Sequence, residues 1–254
     1  MSIRSIRLAV LVSGRGSNLQ AIVDAARAGR LQASVEVVVS DVADAPALAR
    51  ARAGGIPAAV VRRRDYPSRA EFELALAGAV ERARPDLVVL AGFMRLLGPA
   101  FLDRFPGRVI NIHPSLLPAF PGLEAQKQAL EYGVRFTGCT VHYVDYGMDS
   151  GAIIDQRVVE VMPGDDVESL SARILEQEHQ LLVDVIGRLG EQMNRRLNGR
   201  VSGHVSEDVR EHVSEDVSGH AGCEVGGKIG EKIGEKMGEK MGEGRCAHRG
   251  REQA

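Results

Sequence analysis

The sequence predicts an α/β fold, a mostly parallel, twisted sheet flanked by helices in the Rossmann-like manner, followed by a disordered C-terminal tail. Two observations predict the sheet: short apolar runs recur along residues 1–189, and helix-like stretches separate the early ones in the alternation that parallel strands require. A third sets the tail apart. Residues 190–254 contain no Phe, Tyr, Trp or Pro yet hold 13 of the 29 glycines, a composition that cannot bury a core. The expected organisation is one folded domain at 1–189 and a low-complexity tail at 190–254.

The first strand is expected at Arg7 to Val12, followed by Ser-Gly-Arg-Gly-Ser-Asn (Ser13 to Asn18) and a helix marked by Leu19, Ile22, Val23 and Ala26. Further strands are expected at Val35 to Ser40, Ala58 to Val61, Asp86 to Ala91, Arg108 to Ile112, Thr140 to Val144 and Ile153 to Val161, with helices at Ala45 to Ala53 and Arg69 to Arg82. A last helix follows Asp165-Asp166 and lines Val167, Leu170, Ile174, Leu181, Leu182, Val185, Ile186 and Leu189 along one face. Glu178 falls inside that apolar stripe, where a carboxylate either reaches out to solvent or meets a cation. In such sheets ligands sit beyond the carboxyl ends of the strands, so function is expected in the loops there.

The loop after the first strand is a candidate anion site. Glycines admit close backbone approach, the N–H groups of a helix start favour phosphate, and Ser17 and Asn18 add donors. A glycine-rich turn in which Ser17 caps the helix is the structural alternative, and the two are compatible. The loop is neither a Walker loop nor a G-x-G-x-x-G pattern, because no Gly-Lys-Ser/Thr follows and position 19 is Leu. The loop Gly92 to Leu97 places apolar side chains at a strand end, suited to core or to a flat ligand. In Arg108 to Pro118, Asn111 and His113 stand two apart on a strand and so face the same way, and Pro114 and Pro118 frame the loop that follows.

With 34 acidic against 32 basic residues, a net charge of −2 argues against nucleic-acid binding by bulk charge. The three cysteines, Cys139, Cys223 and Cys246, fit neither a disulfide framework nor a zinc site. Only five apolar residues follow the basic start, and no run approaches a membrane span, so a cytosolic protein without a membrane partner is expected. In the tail, His-Val-Ser-Glu-Asp-Val recurs at His204 and His212, then Lys-Ile-Gly-Glu and Lys-Met-Gly-Glu each occur twice from Lys228 to Glu243. A glycine in every repeat disfavours a stable lone helix, leaving a disordered or weakly helical segment, or one that folds on a partner. The histidines His204, His212, His220 and His248 match no defined metal spacing.

In order, Ser-Gly-Arg-Gly-Ser-Asn-Leu, Leu-Ala-Gly-Phe-Met-Arg, Asn-Ile-His-Pro-Ser-Leu-Leu-Pro and Met148-Asp149-Ser150-Gly151 resemble the phosphoribosylglycinamide formyltransferases, folate-dependent enzymes of purine synthesis. The resemblance covers about residues 5–189. It implies a catalytic trio at Asn111, His113 and Asp149, a substrate phosphate at Gly16, Ser17 and Asn18, and the substrate's amino end at Glu178. It puts the folate against Met94, Arg95, Leu97 and the loop Asp145 to Asp149, with 10-formyltetrahydrofolate as co-substrate, no metal, and a monomer or homodimer. The sequence departs from the family pattern in lacking a short strand after the last helix and in carrying Glu124 and Gln126 in Pro-Gly-Leu-Glu-Ala-Gln.

Formyl transfer needs an amine to attack the formyl carbon, placing negative charge on oxygen and positive charge on nitrogen. Asn111 and a cationic His113 can stabilise the oxyanion, and Asp149 can balance the imidazolium and accept the amine proton. Three other readings stay open. A formyltetrahydrofolate deformylase would be expected to carry a preceding regulatory domain, and a methionyl-tRNA formyltransferase an RNA-binding domain in place of the aromatic-free tail. The third is a non-catalytic ligand-binding protein whose tail recruits partners.

Overall fold

The computed structural model describes residues 4–202, with side chains to residue 196. Of the two units into which the chain divides, Met1–Asp208 and Val209–Ala254, only the first holds described residues. The expectations for the repeats, for His204, His212, His220 and His248, and for Cys223 and Cys246 lie outside the described residues.

Seven strands form one sheet: β1 (Ile6–Val12), β2 (Ala33–Ser40), β3 (Ala58–Val60), β4 (Leu87–Leu90), β5 (Val109–His113), β6 (Phe136–Tyr143) and β7 (Ile153–Glu160), in the order β3-β2-β1-β4-β5-β6-β7. The first five run parallel, and β6 and β7 pair antiparallel. The central strands are continuous apolar runs because both faces are covered. Helices α1 (Ser17–Arg27), α2 (Pro46–Ala53), α5 (Ala125–Tyr132) and α6 (Val167–Ser202), together with α3 (Arg69–Glu81) and the short α4 (Pro99–Leu102), complete the domain. Leu8, Val10, Leu19, Ile22, Ile174 and Leu182 belong to one core cluster; Leu11, Phe72, Leu76, Val88 and Phe101 belong to the other.

The last helix differs from expectation in two ways. Val167 is 45% exposed and belongs to no core, whereas Leu170 to Leu189 of the stripe are buried. The helix also continues through Gly190 to Ser202, past the expected boundary at 189. Tertiary contact overrides the low helix propensity of glycine here: a side chain at Gly190 would come within 3.3 Å of Ile6, Met193 packs on the core, and the Asn194 amide donates to the Arg4 carbonyl at 2.9 Å. Helices α4 and α5 were not anticipated. Cys139 is fully buried on β6.

Candidate active site

The order of strands reverses at β1, which lies between β2 and β4, and their loops open beside one another. The Ser13 N–H donates to the Gly92 carbonyl at 3.0 Å, and the Met94 N–H donates to the Ser13 hydroxyl at 2.9 Å. A cavity of about 430 Å³ lies at this end of the sheet. Met94, Arg95 and Leu97 line it from the loop after β4, Asn111 and His113 from β5, His142 from β6, and Asp145 and Asp149 from the loop before β7.

The trio does converge. Asp149 Oδ2 lies 3.4 Å from His113 Nδ1, and Asp149 Oδ1 lies 3.5 Å from Asn111 Nδ2. Three backbone features place and hold the carboxylate. Asp149 takes a positive φ of 52°, a left-handed conformation uncommon outside glycine. Gly151 allows the loop to fold back, because a Cβ there would meet the Tyr143 carbonyl oxygen at 1.8 Å. The Gly122 N–H donates to Asp149 Oδ2 at 2.8 Å. Burial pushes the Asp149 carboxyl up, but the bonds from His142 and Gly122 and the charges of His113 and His142 outweigh it, leaving the group below the usual carboxylate range. Asp149 is therefore built to stay ionised.

His113 is buried, and its Nε2 lies 2.9 Å from the Phe120 carbonyl. With a carbonyl at one ring nitrogen and a carboxylate at the other, both nitrogens face acceptors. A proton on each nitrogen would satisfy both.

His142, also buried, is the site residue that sequence reasoning missed. Antiparallel pairing of β5 with β6 sets Asn111 opposite His142. His142 Nδ1 lies 2.8 Å from the Tyr143 carbonyl and so carries the proton, while Nε2 lies 3.2 Å from Asn111 Nδ2 and 3.6 Å from Asp149 Oδ1. A histidine interrupting the apolar run Cys-Thr-Val-His-Tyr was the available signal.

The other expected residues are placed with differences. Arg95 lines the cavity, but its Nε donates to Asp41 at 2.5 Å, and Asp41 also accepts from the Ser13 hydroxyl at 2.6 Å. Asp145 turns its carboxylate into its own loop, accepting from the Gly147 N–H and the Ser150 hydroxyl. Ser17 does not cap α1. Gly16 holds the cap position at φ 75°, with no side-chain cap bond, and a Cβ on it would lie 2.6 Å from that of Ala47. Gly16, Ser17, Asn18 and Glu178 do not line the cavity that holds the trio. Glu178 does not reach solvent: it is buried and accepts from Asn18 Nδ2 at 2.8 Å. Burial lifts its carboxyl to about 7 against the opposing effect of that bond.

Among the described residues, no group of three or more His, Cys, Asp or Glu is placed to hold a metal ion. Nor is any of the described helices long and apolar enough to cross a membrane.

The family model described as Formyl transferase matches residues 6–186. A protein of Mycobacterium tuberculosis named phosphoribosylglycinamide formyltransferase is 48% identical over 183 residues, covering 72% of this chain and 84% of that one. The trifunctional purine biosynthetic protein adenosine-3 of Drosophila pseudoobscura pseudoobscura is 48% identical over 192 residues, which are 75% of this chain. The chain spans only 14% of the length of that relative. Among solved structures, glycinamide ribonucleotide transformylase 1 of Symbiobacterium toebii is similar at a TM-score of 0.73 and 53% identity, covering 74% of this chain and 88% of that one.

Proposed function

The chain belongs to the formyl transferase family, and on that premise we propose that it transfers the formyl group of 10-formyltetrahydrofolate to the amine of N1-(5-phospho-D-ribosyl)glycinamide. The observation that carries the reading is the convergence of Asn111, His113 and Asp149 at 3.4–3.5 Å on one cavity. The relative from Mycobacterium tuberculosis, matched over most of its length, supports the choice of acceptor.

In this reading the amine nitrogen bonds to the formyl carbon, and the formyl oxygen takes negative charge opposite the Asn111 amide, with a His113 imidazolium contributing its charge while its N–H groups stay on Phe120 and Asp149. The bond from carbon to the folate nitrogen then breaks. A proton passes from the attacking amine to that departing nitrogen, relayed by Asp149. A carboxyl held below its usual range is a weak base, which suits a relay that returns to the ionised state. The Asn111 amide is engaged by His142 at 3.2 Å and by Asp149 at the longer 3.5 Å. The oxyanion would take the place of that longer contact.

The folate is assigned to the cavity wall of Met94, Arg95 and Leu97 and to the loop from Asp145, and the substrate phosphate to Gly16, Ser17 and Asn18. Because Glu178 is bonded to Asn18, we assign it to the phosphate end of the substrate rather than to the amine, which falls to Asp149. The enzyme would work in the cytosol on small molecules, as a monomer or homodimer, with no metal and no nucleic-acid or membrane partner.

Purified full-length protein with 10-formyltetrahydrofolate should form formylated ribonucleotide, followed by mass spectrometry, only when the glycinamide ribonucleotide is added. Formate release in its absence would instead indicate a hydrolase, and formylation of initiator methionyl-tRNA would indicate a tRNA enzyme. Binding without turnover would leave a ligand-binding protein.

A further inference from the structure

This inference rests on reading Ser17 and Asn18 as the phosphate site. Asn18 stands in the first turn of α1, where unpaired N–H groups and the helix dipole favour an anion. Its Nδ2 donates to Glu178 Oε2 at 2.8 Å, both residues are 7% exposed, and its Oδ1 is buried with no hydrogen-bond partner. The one side-chain amide offered to a phosphate is thus committed to a buried carboxylate, and its oxygen is left unpaired.

A phosphate arriving as a dianion meets this arrangement badly. If the amide turns to the phosphate, Glu178 is left buried, charged and without a donor. If the amide stays, two anions face each other in a medium of low dielectric. One proton removes both conflicts, because a protonated carboxyl needs an acceptor and Asn18 Oδ1 needs a donor.

We propose that the phosphorylated substrate binds together with one solvent proton taken up by Glu178, the Asn18 amide turning over so that its oxygen accepts from the carboxyl and its NH₂ group faces the phosphate. The carboxyl is poised for this, since burial places it near neutrality. Neighbouring ionisable groups do not compete for the role. On β6 the Cys139 thiol is pushed up to about 12 by burial and by the Glu178 charge, so it stays neutral. On β7 Arg157 and Asp155 are paired with Asp184 and Arg188 of α6. On α1 Asp24 accepts from Gln20 and Arg27 donates to the Gly54 carbonyl. On α5 Lys127 pairs with Glu124 and Glu131. On α6 itself His179 is pushed down by burial, so it stays neutral near pH 8.

Calorimetric titration of the full chain with glycinamide ribonucleotide at pH 8, in buffers of different ionisation enthalpy, counts the protons. The wild type should take up close to one proton more than Glu178→Gln. Independently of the variant, wild-type affinity should fall by up to about tenfold per pH unit above pH 8. Equal proton uptake in the two proteins, or wild-type affinity that does not fall with pH, overturns the proposal alone. Failure of the ribonucleotide to bind at either pH overturns the assignment of the phosphate loop as well.

Discussion

The side-chain amide of Asn111 lies 3.2 Å from Nε2 of His142 on the neighbouring antiparallel strand. His142 Nδ1 lies against the Tyr143 carbonyl, and its Nε2 stands between the Asn111 amide and Asp149 Oδ1, so one ring orients both side chains. With its NH₂ group turned to Nε2, the same group is also aimed at the cavity, where an oxyanion would need it. In the proposed reaction His142 would act as a positioning residue.

Replacing His142 with Ala should therefore lower kcat about five- to thirtyfold, the loss of one or two buried hydrogen bonds at about 1–2 kcal/mol. The KM for folate should change little. The discriminating readout is the kcat-against-KM split from steady-state kinetics. An equal loss in folate affinity would mean that the cavity itself had collapsed.

The strands and the face that Asn111 and His113 share on β5 were legible because apolar runs and the alternation of side chains along a strand are local. His142 was not, because its partnership with Asn111 depends on the register of β6 against β5, which no local pattern sets. The Asp41 carboxylate that holds Arg95 escaped for the same reason, arriving from the end of β2. Helix α5 was hidden by its start, where Glu124 takes a φ of 56° in place of a recognisable cap. The continuation of α6 beyond Leu189 was not legible, because it rests on a contact distant in sequence: Gly190 leaves room for Ile6 of β1 to approach.

That last contact sets a truncation experiment. Ending the chain after Leu189 removes Met193 from the core and the Asn194 bond to the Arg4 carbonyl. Burial of one large apolar side chain contributes about 1.5–3 kcal/mol. Thermal unfolding of that truncation should show a clear loss of Tm, while a chain ending after Ser202 should melt like the full-length protein. Equal melting of all three would return the boundary to 189.

Glu178 makes the stability of the free protein depend on pH. Its carboxyl titrates at about 7 in the fold against an ordinary value of 4.5. The neutral form is thus the one the fold favours: the contribution is fully present below about 4.5, falls as the unfolded chain ionises, and is lost once pH passes about 7. The difference corresponds to about 3 kcal/mol at most. Glu178→Gln, which keeps the shape and never ionises, should match the wild type near pH 4.5 and exceed its Tm by several degrees at pH 8. Melting curves at the two pH values check this, and an offset that is the same at both would show that the carboxylate is not strained by burial.

The catalytic geometry makes a sharper demand. His113 Nδ1 and Asp149 Oδ2 stand 3.4 Å apart, and the histidine helps to hold the carboxyl low, after the bonds from His142 and Gly122. Asp149→Asn removes the carboxylate that faces His113 Nδ1, and His113→Asn removes the ring placed beside the proposed oxyanion. Each should lower kcat a hundredfold or more, on the order of 3 kcal/mol, while folate binding survives on the apolar wall. Because the two act as a unit, the double variant should be far less impaired than the product of the two single losses. A double-mutant cycle on kcat measures the coupling directly. Losses that multiply would assign the two residues independent roles, and near-normal kcat in His113→Asn would remove the oxyanion contact from the mechanism altogether.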